Sequence, residues 1–324
     1  MILCAWALLS LTWTASIFDG LNEAWHLILL LAVGAWRPPL RQVLIGLGGA
    51  LVPTAGLMLW QVAHGQQATG LFINKNSAAE LGLMVLVGCV TYRLWWAIPT
   101  AAITAFSPLS RGVLVAAAVV VAWQWPRLRL PLAFLLVGAL GYLWANADSS
   151  TSERLIIWQN TIAGLTWLGR GLGSFRTLYP LHAQLGDTLA SRPDHAHNDY
   201  LEIIFELGVV GAVCAAYWLT RIWREPMVLA FLVMAIFSSP LHSPATGFLF
   251  AACIGAVLRK PITDGRMDVC ARGGKRELSA VGASATSVSV DPLYPARAGG
   301  CVPGDSQLQF FRSRVGMPRG RASS

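Results

Sequence analysis

The chain alternates long apolar stretches with short polar interruptions. Apolar runs at approximately 1–18, 22–36, 42–62, 77–92, 94–107, 112–125, 130–146, 199–219, 226–239 and 244–258 predict about ten membrane helices. A full crossing takes about 20 residues at about 1.5 Å each. Several runs are shorter, so some are expected to be re-entrant or broken helices. The pattern predicts an all-α polytopic membrane protein: a membrane domain over 1–258, with one long polar segment at 146–197, and then residues 259–324. That last stretch is rich in Gly, Ala, Ser and Arg without apolar periodicity, which predicts a disordered tail.

Basic residues order the loops. Arg37 and Arg41, Arg93, Arg127 and Arg129, Arg221 and Arg224, and Arg259 with Lys260 fall in alternate connections. The positive-inside rule makes these loops and the tail cytoplasmic. The connections at 63–76, 108–111, 146–197 and 238–244 are then on the outer side, and all the candidate chemistry lies there. The first run has neither a basic n-region nor a small-residue cleavage site, so it reads as a span and not as a signal peptide. No Lys or Arg precedes Arg37, which suggests missing upstream spans or a misplaced start.

Composition sharpens the class. Hydrophobic residues make up 55% and charged residues 12%, against about 25% charged in soluble domains. Of the formal +8, residues 259–324 contribute +6, from 11 basic and 5 acidic residues. These charges are scattered and form no stripe, so contact with anionic lipid is expected and nucleic acid is not an expected partner. Four of the six cysteines fall in apolar runs and two in the tail, without metal-like spacing, so no disulfide framework is expected.

The densest ionisable cluster meets the start of an apolar run. From Asn198 the sequence suits a helix with Asn198, Glu202 and Glu206 on one face, and with Gly208 and Gly211 offering a small-residue contact. His195 and His197 precede its N-terminus, where unpaired N–H groups and the dipole favour an anion beside an imidazole that titrates near neutrality. Upstream, Asn74, Lys75 and Asn76 form an amide-rich cap that serves structure or glycan contact. Arg111 stands at the outer boundary, either snorkelling to headgroups or held in a functional site.

After the Ser/Thr-rich Asp148-Ser-Ser-Thr-Ser-Glu-Arg154, residues Leu155, Trp158, Ile162 and Leu165 fall at helical spacing, predicting an amphipathic surface helix. Arg154 falls in its first turn, where a cation opposes the dipole. It is expected to meet a bound anion or a carboxylate, with Glu153 and Glu202 as the plain alternatives. Gly169 to Gly173 follows no strand and reads as a tight turn, not as a nucleotide loop. His182, Asp194, His195, His197 and Asp199 offer metal-ligand chemistry but no ligand spacing, and neither a metal nor another cofactor is expected. His242, in the last outer turn, is given no role.

Several of these elements resemble one family. His197, Asn198, nine residues, Gly208, two residues and Gly211 reproduce the signature of the O-antigen ligase and O-antigen polymerase superfamily of bacterial membrane glycosyltransferases. Gly70-x-Phe72-x-Asn74-x-Asn76, Ser110-Arg111-Gly112, Ser152-x-Arg154 with Trp158, and Gly169-x-Gly171-x-Gly173-x-Phe175 are similar to its other elements, in the same order. The resemblance covers about 40–258, and the N-terminus looks short by about two spans against the family.

The resemblance implies a GT-C-like inner-membrane transferase with its site facing the periplasm. It would move a glycan from undecaprenyl diphosphate to an acceptor hydroxyl, inverting and metal-independent. Arg111 and Arg154 would then neutralise diphosphate and His197 would act as base. His195, Asn198, Glu202, Glu206, Lys75 and Asn76 would contact substrate. Lipid A core, a growing polysaccharide and a protein side chain remain open as acceptors, with a polysaccharide polymerase as the alternative. A lipid-linked glycan transporter is the alternative from another class, but it calls for midplane charges and internal repeats, and the sequence carries neither.

Overall fold

The computed structural model describes residues 2–145, 149–183 and 193–258, all within a compact unit spanning Met1–Pro261. The predicted tail at 259–324 lies outside the described residues, as do 146–148 and 184–192 of the long outer segment. The described residues hold twelve α-helices and no strand. These are α1 (Ile2–Ser10), α2 (Ile17–Trp36), α3 (Leu40–Ala63), α4 (Lys75–Thr91), α5 (Ile98–Phe106) and α6 (Arg111–Gln124), followed by α7 (Arg129–Ala145), α8 (Ser149–Ala163), α9 (Phe175–His182), α10 (Asp199–Ile222), α11 (Pro226–Phe237) and α12 (Pro244–Val257).

Helix α4 is the hub. It packs against α3, α5, α6, α11 and α12, and 11 of its 17 residues are buried, so it shows no polar face. Small residues allow the close approach. A Cβ on Gly82 would stand 2.5 Å from the backbone nitrogen of Ala105, and one on Gly48 would stand 2.7 Å from the Cβ of Ala97. Leu44, Met84, Val85, Val113, Val228 and Met234 fill the space between. The outward surface is apolar too, with Phe134 and Val137 on α7 71% and 70% exposed. A surface of that kind is suited to lipid.

Each predicted apolar run beyond the first falls on a helix. Three helices are long and apolar enough to cross a membrane: α2, α3 and α10. Several others, including α6, α11 and α12, are apolar but short, in line with the shortness of their runs. The described residues are all-helical, and the protein is membrane-embedded. The first run behaves differently from a single span, because α1 stops at Ser10 and α2 starts afresh at Ile17, capped by the Ser16 hydroxyl. Ser10, the last residue of α1, meets the chain that docks there: its hydroxyl accepts from the Leu172 N–H at 3.0 Å, and the Thr14 hydroxyl donates to the Leu172 carbonyl at 2.8 Å.

That docking chain is the glycine-rich segment 169–173, which is wedged between the α1–α2 elbow and α10. Helix α10 breaks at Gly208, where φ is +63° and ψ −160°. The break frees backbone carbonyls, and the wedge takes them up. The N–H groups of Arg170 and Gly171 donate to Phe205 and Glu206 carbonyls, both at 2.9 Å, and the Trp6 indole donates to the Leu207 carbonyl at 2.8 Å. Discontinuous backbone at membrane depth is tolerated when protein satisfies it in this way. A Cβ on Gly169 would lie 2.5 Å from the nitrogen of Gly208, so glycine is required where the two backbones cross. The turn reading of this segment therefore holds, and its N–H groups from Gly169 to Leu172 are used internally and not held out toward a phosphate.

Candidate functional site

Residues 193–198 enter α10 over a pivot at Ala196, which is fully buried. Its N–H donates to Glu202 Oε2 at 2.9 Å, and its carbonyl accepts from the Trp158 indole at 3.0 Å. Both backbone polar groups of Ala196 are thus fixed, and the flanking histidines divide. His195 turns to Glu202, with Nδ1 2.9 Å from Oε1. His197 takes a left-handed φ of 52°, which is uncommon for a residue with a Cβ and is a strain found at functional sites. Asn198 then caps α10, its side chain accepting from the Leu201 N–H at 3.0 Å.

His197 is half-buried, and among the described residues its ring makes no hydrogen bond. Burial, then the Arg154 guanidinium and the neighbouring His195, lower its pKa below the ordinary histidine value, against a smaller opposing pull from Glu202. The imidazole is therefore neutral at pH 7 and able to accept a proton.

Arg154 sits in the second turn of α8, not the first as the sequence suggested, because the helix already starts at Ser149. Its guanidinium donates to the carbonyl of Phe237, the last residue of α11, at 3.0 Å. A cation suits that helix C-terminus, which removes the apparent conflict with the α8 dipole. Arg154 lines a narrow crevice with Asn76, Glu80, Ser110 and Ser238. Arg111 opens α6 and is half-buried, and its neighbour Gly112 packs on the Phe237 side chain, so both arginines approach the same end of α11. Lys75, at the start of α4, is half-exposed and does not line this crevice.

A second polar cavity, of about 200 Å³, lies across the pivot. Asp19, Asn22 and Glu23 of α2 line it together with Arg176, Asp194, His195, Glu202 and Glu206. Glu206 Oε1 accepts from the Phe175 N–H at 3.0 Å, where it caps α9. Behind His195 stands His242, the rings stacked with centroids 4.1 Å apart. His242 Nδ1 lies 3.3 Å from Asp199 Oδ1, and Nε2 lies 3.6 Å from both Glu202 Oε1 and Glu23 Oε2. Burial disfavours its charge, but Glu202, Asp199 and Glu23 outweigh this and hold its pKa well above the ordinary value. A larger open cavity, of about 460 Å³, lies beside Trp13, Thr166 and Trp167 and contains none of the predicted site residues.

The structure thus gathers Arg154 and Asn76 in one crevice and His195, Glu202 and Glu206 in another cavity, with Asn198 as a cap. Of the five residues weighed as a metal set, His182 packs away on Phe205 and Asp194 pairs with Arg176 at 3.1 Å. The group whose ligand atoms do converge, all within 4.8 Å, is His195, Glu202 and His242. Sequence reasoning left out His242, Glu23 and Glu80. Glu80 was detectable as the one acidic residue in the apolar α4, a turn beyond Asn76, where a buried carboxylate is functional by default. Its Oε1 has no hydrogen-bond partner among the described residues.

Residues 67–216 match the family model described as O-Antigen ligase. The matched segment takes in Asn76, Arg111, Arg154, the glycine wedge, His197, Gly208 and Gly211. Over this segment, which is less than half of the chain, the sequence is similar to the O-antigen ligase family, and the match supports glycan transfer of the ligase and polymerase kind in general. No curated protein matches the chain. Helices α2, which lines the acidic cavity, and α11, which lines the arginine crevice, lie outside the matched segment.

Proposed function

We propose that the protein transfers a glycan from undecaprenyl diphosphate to an acceptor hydroxyl with inversion. The observation that carries this reading is the neutral, unbonded His197 ring under the electrostatic influence of Arg154, inside the segment that matches the ligase family. The acceptor oxygen attacks the anomeric carbon as its proton passes to His197. The bond from that carbon to the diphosphate oxygen breaks, and undecaprenyl diphosphate leaves with the electron pair. Arg154 and Arg111 stabilise the charge that grows on the leaving group, a role suited to planar guanidinium donors in a poorly hydrated site. No metal enters the bond-making step.

The remaining residues hold substrate: His195, Glu202 and Glu206 on the acidic side, Asn76 and Lys75 on the arginine side, and Asn198 at the helix start. The domain is 1–258 and the site faces the periplasm from the inner membrane, as the alternation of arginine-bearing loops supports. Lipid A core is the acceptor in this reading, and a polysaccharide polymerase differs from it only in that acceptor. The test is transfer in detergent with purified chain, a lipid-linked glycan donor and each acceptor in turn. Product with either acceptor supports a transferase. Absence of product with both, alongside uptake of donor into sealed vesicles, points to the transporter reading instead. For orientation, Gln66→Cys should react with an impermeant thiol reagent from the periplasmic side while Arg127→Cys is shielded, and the reverse pattern inverts the topology.

A further inference from the structure

We propose that His242, Glu202, His195 and Glu23 form a binding site for a divalent transition-metal ion of the zinc type, which staples α2 and the last outer turn to α10. The site shares His195 and Glu202 with the acidic, substrate-holding side of the proposed reaction, but neither arginine nor His197 belongs to it.

The distances match the requirement. Zinc bound at about 2.0–2.2 Å by nitrogen and oxygen places tetrahedral ligands about 3.3–3.5 Å apart. His242 Nε2 stands 3.6 Å from Glu202 Oε1 and 3.6 Å from Glu23 Oε2, and His195 Nδ1 is 2.9 Å from the same Glu202 oxygen. The ligand atoms of His195, Glu202 and His242 all lie within 4.8 Å of one another, and the His195–Glu202 pair must open by a few tenths of an ångström as the proton that joins it is released to solvent.

The surroundings also fit. His242 Nδ1 faces Asp199 Oδ1 at 3.3 Å, and that carboxylate also accepts from the Leu241 N–H at 3.0 Å. This is the carboxylate–histidine arrangement that fixes the ring so that the other nitrogen faces a metal. Among the described residues, Glu23, Asp199 and Glu202 form ion pairs with histidine alone, so the cluster carries excess negative charge that a dication would neutralise. The nearest arginine, Arg176 at the cavity rim, is taken by Asp194. The roughly 200 Å³ polar cavity beside His195 and Glu202 provides entry and room for a water ligand.

The experiment is a zinc titration of the full chain in detergent after chelator treatment, with Cys270 and Cys301 replaced by Ser to remove tail thiolates. Calorimetry should give one zinc per chain with micromolar or tighter affinity, and zinc should raise the melting temperature. Asp199→Asn should weaken binding by about 10–100-fold, the usual penalty for losing an outer partner. His242→Ala and Glu202→Gln should each weaken it at least as much. His195 is about a third exposed, so His195→Ala keeps the readout should His242→Ala fail to fold. His197→Ala should bind zinc as wild type does even where transfer is lost, which separates this site from the transfer chemistry. The proposal is overturned if wild type takes up no zinc, or if every ligand variant that folds binds it undiminished. In the first case a protonated His242 neutralises the carboxylates by itself.

Discussion

The two polar pockets are built from similar helices but differ in charge. The crevice at the end of α11 presents Arg154 against neutral Asn76, Ser110 and Ser238 and the single acid Glu80, with Arg111 entering from beside it. The cavity between α2 and α10 gathers Asp19, Glu23, Asp194, Glu202 and Glu206. An anionic group such as a diphosphate would be drawn to the first and repelled by the second. The contrast also explains why two histidines one residue apart have different environments. Ala196, bonded through both N–H and carbonyl, sends one ring to the carboxylates and the other toward the arginine.

The largest effect that can break this contrast is at His197. A general base contributes typically 10²–10⁴-fold, so His197→Ala is expected to lower turnover by about that much, while His195→Ala is expected to lower it less. The sign with pH follows from the lowered pKa. His197 stays neutral down to below the ordinary histidine value of 6.5, so activity should hold at neutral pH and fall as pH drops through that lowered pKa. Rate profiles of both variants decide the matter, and a larger loss at His195 would move the base to the acidic side.

The arginine side comes next. Removing one donor aimed at developing charge costs roughly 10²–10³ in turnover, and Arg154→Ala is expected to fall in that range. Arg154→Lys should recover little, because an ammonium cannot both keep the Phe237 carbonyl and fork onto a phosphate. Steady-state kinetics on refolded-equivalent preparations, matched by melting temperature, check this. A fully active Arg154→Ala would leave the crevice without a catalytic role.

How much of this was legible differs between the two pockets. Apolar runs located nearly every helix, because a buried or lipid-facing helix leaves an uninterrupted hydrophobic signal. The motif residues located the arginine crevice and the pivot. What periodicity could not show was which distant polar residues meet. Glu23 lies in the apolar run at 22–36 and His242 in a turn more than 200 residues later, and the packing of α12 on α2 brings them together. The elbow after Ser10 was hidden for a related reason: the residue that Ser10 meets, Leu172, lies far along the chain. Arg154 was misjudged through its own helix, when the partner that matters is the end of another.

Gly208 tests whether the break in α10 is a requirement of the site or a tolerated defect. It combines positive φ with a backbone neighbour on the side a Cβ would occupy. Gly208→Ala should cost about 1–3 kcal/mol from the conformation alone, with the contact adding to it. Lower melting temperature and reduced yield in the membrane are the expected readouts. If Gly208→Ala instead stabilises the protein, α10 can run straight, and the glycine wedge is not what holds Glu206 and the pivot in register.

The smallest expected effect separates two jobs at Asn198, which stands on the line between the pockets. Its Oδ1 caps α10 by accepting from the Leu201 N–H, and this use leaves the amide nitrogen for substrate. Asn198→Ala should lose about 0.5–2 kcal/mol of stability, the range for removing a cap. Asn198→Asp keeps the accepting oxygen, and a carboxylate at a helix N-terminus is favoured by the dipole, so its melting temperature should stay near wild type. Having no amide donor, the same variant should raise KM for the glycan modestly while turnover is nearly kept, the mark of lost binding that ground and transition states share. An Asp variant with unchanged KM would reduce Asn198 to a cap, and the motif asparagine would then serve the helix that carries Glu202 and Glu206 without touching the glycan.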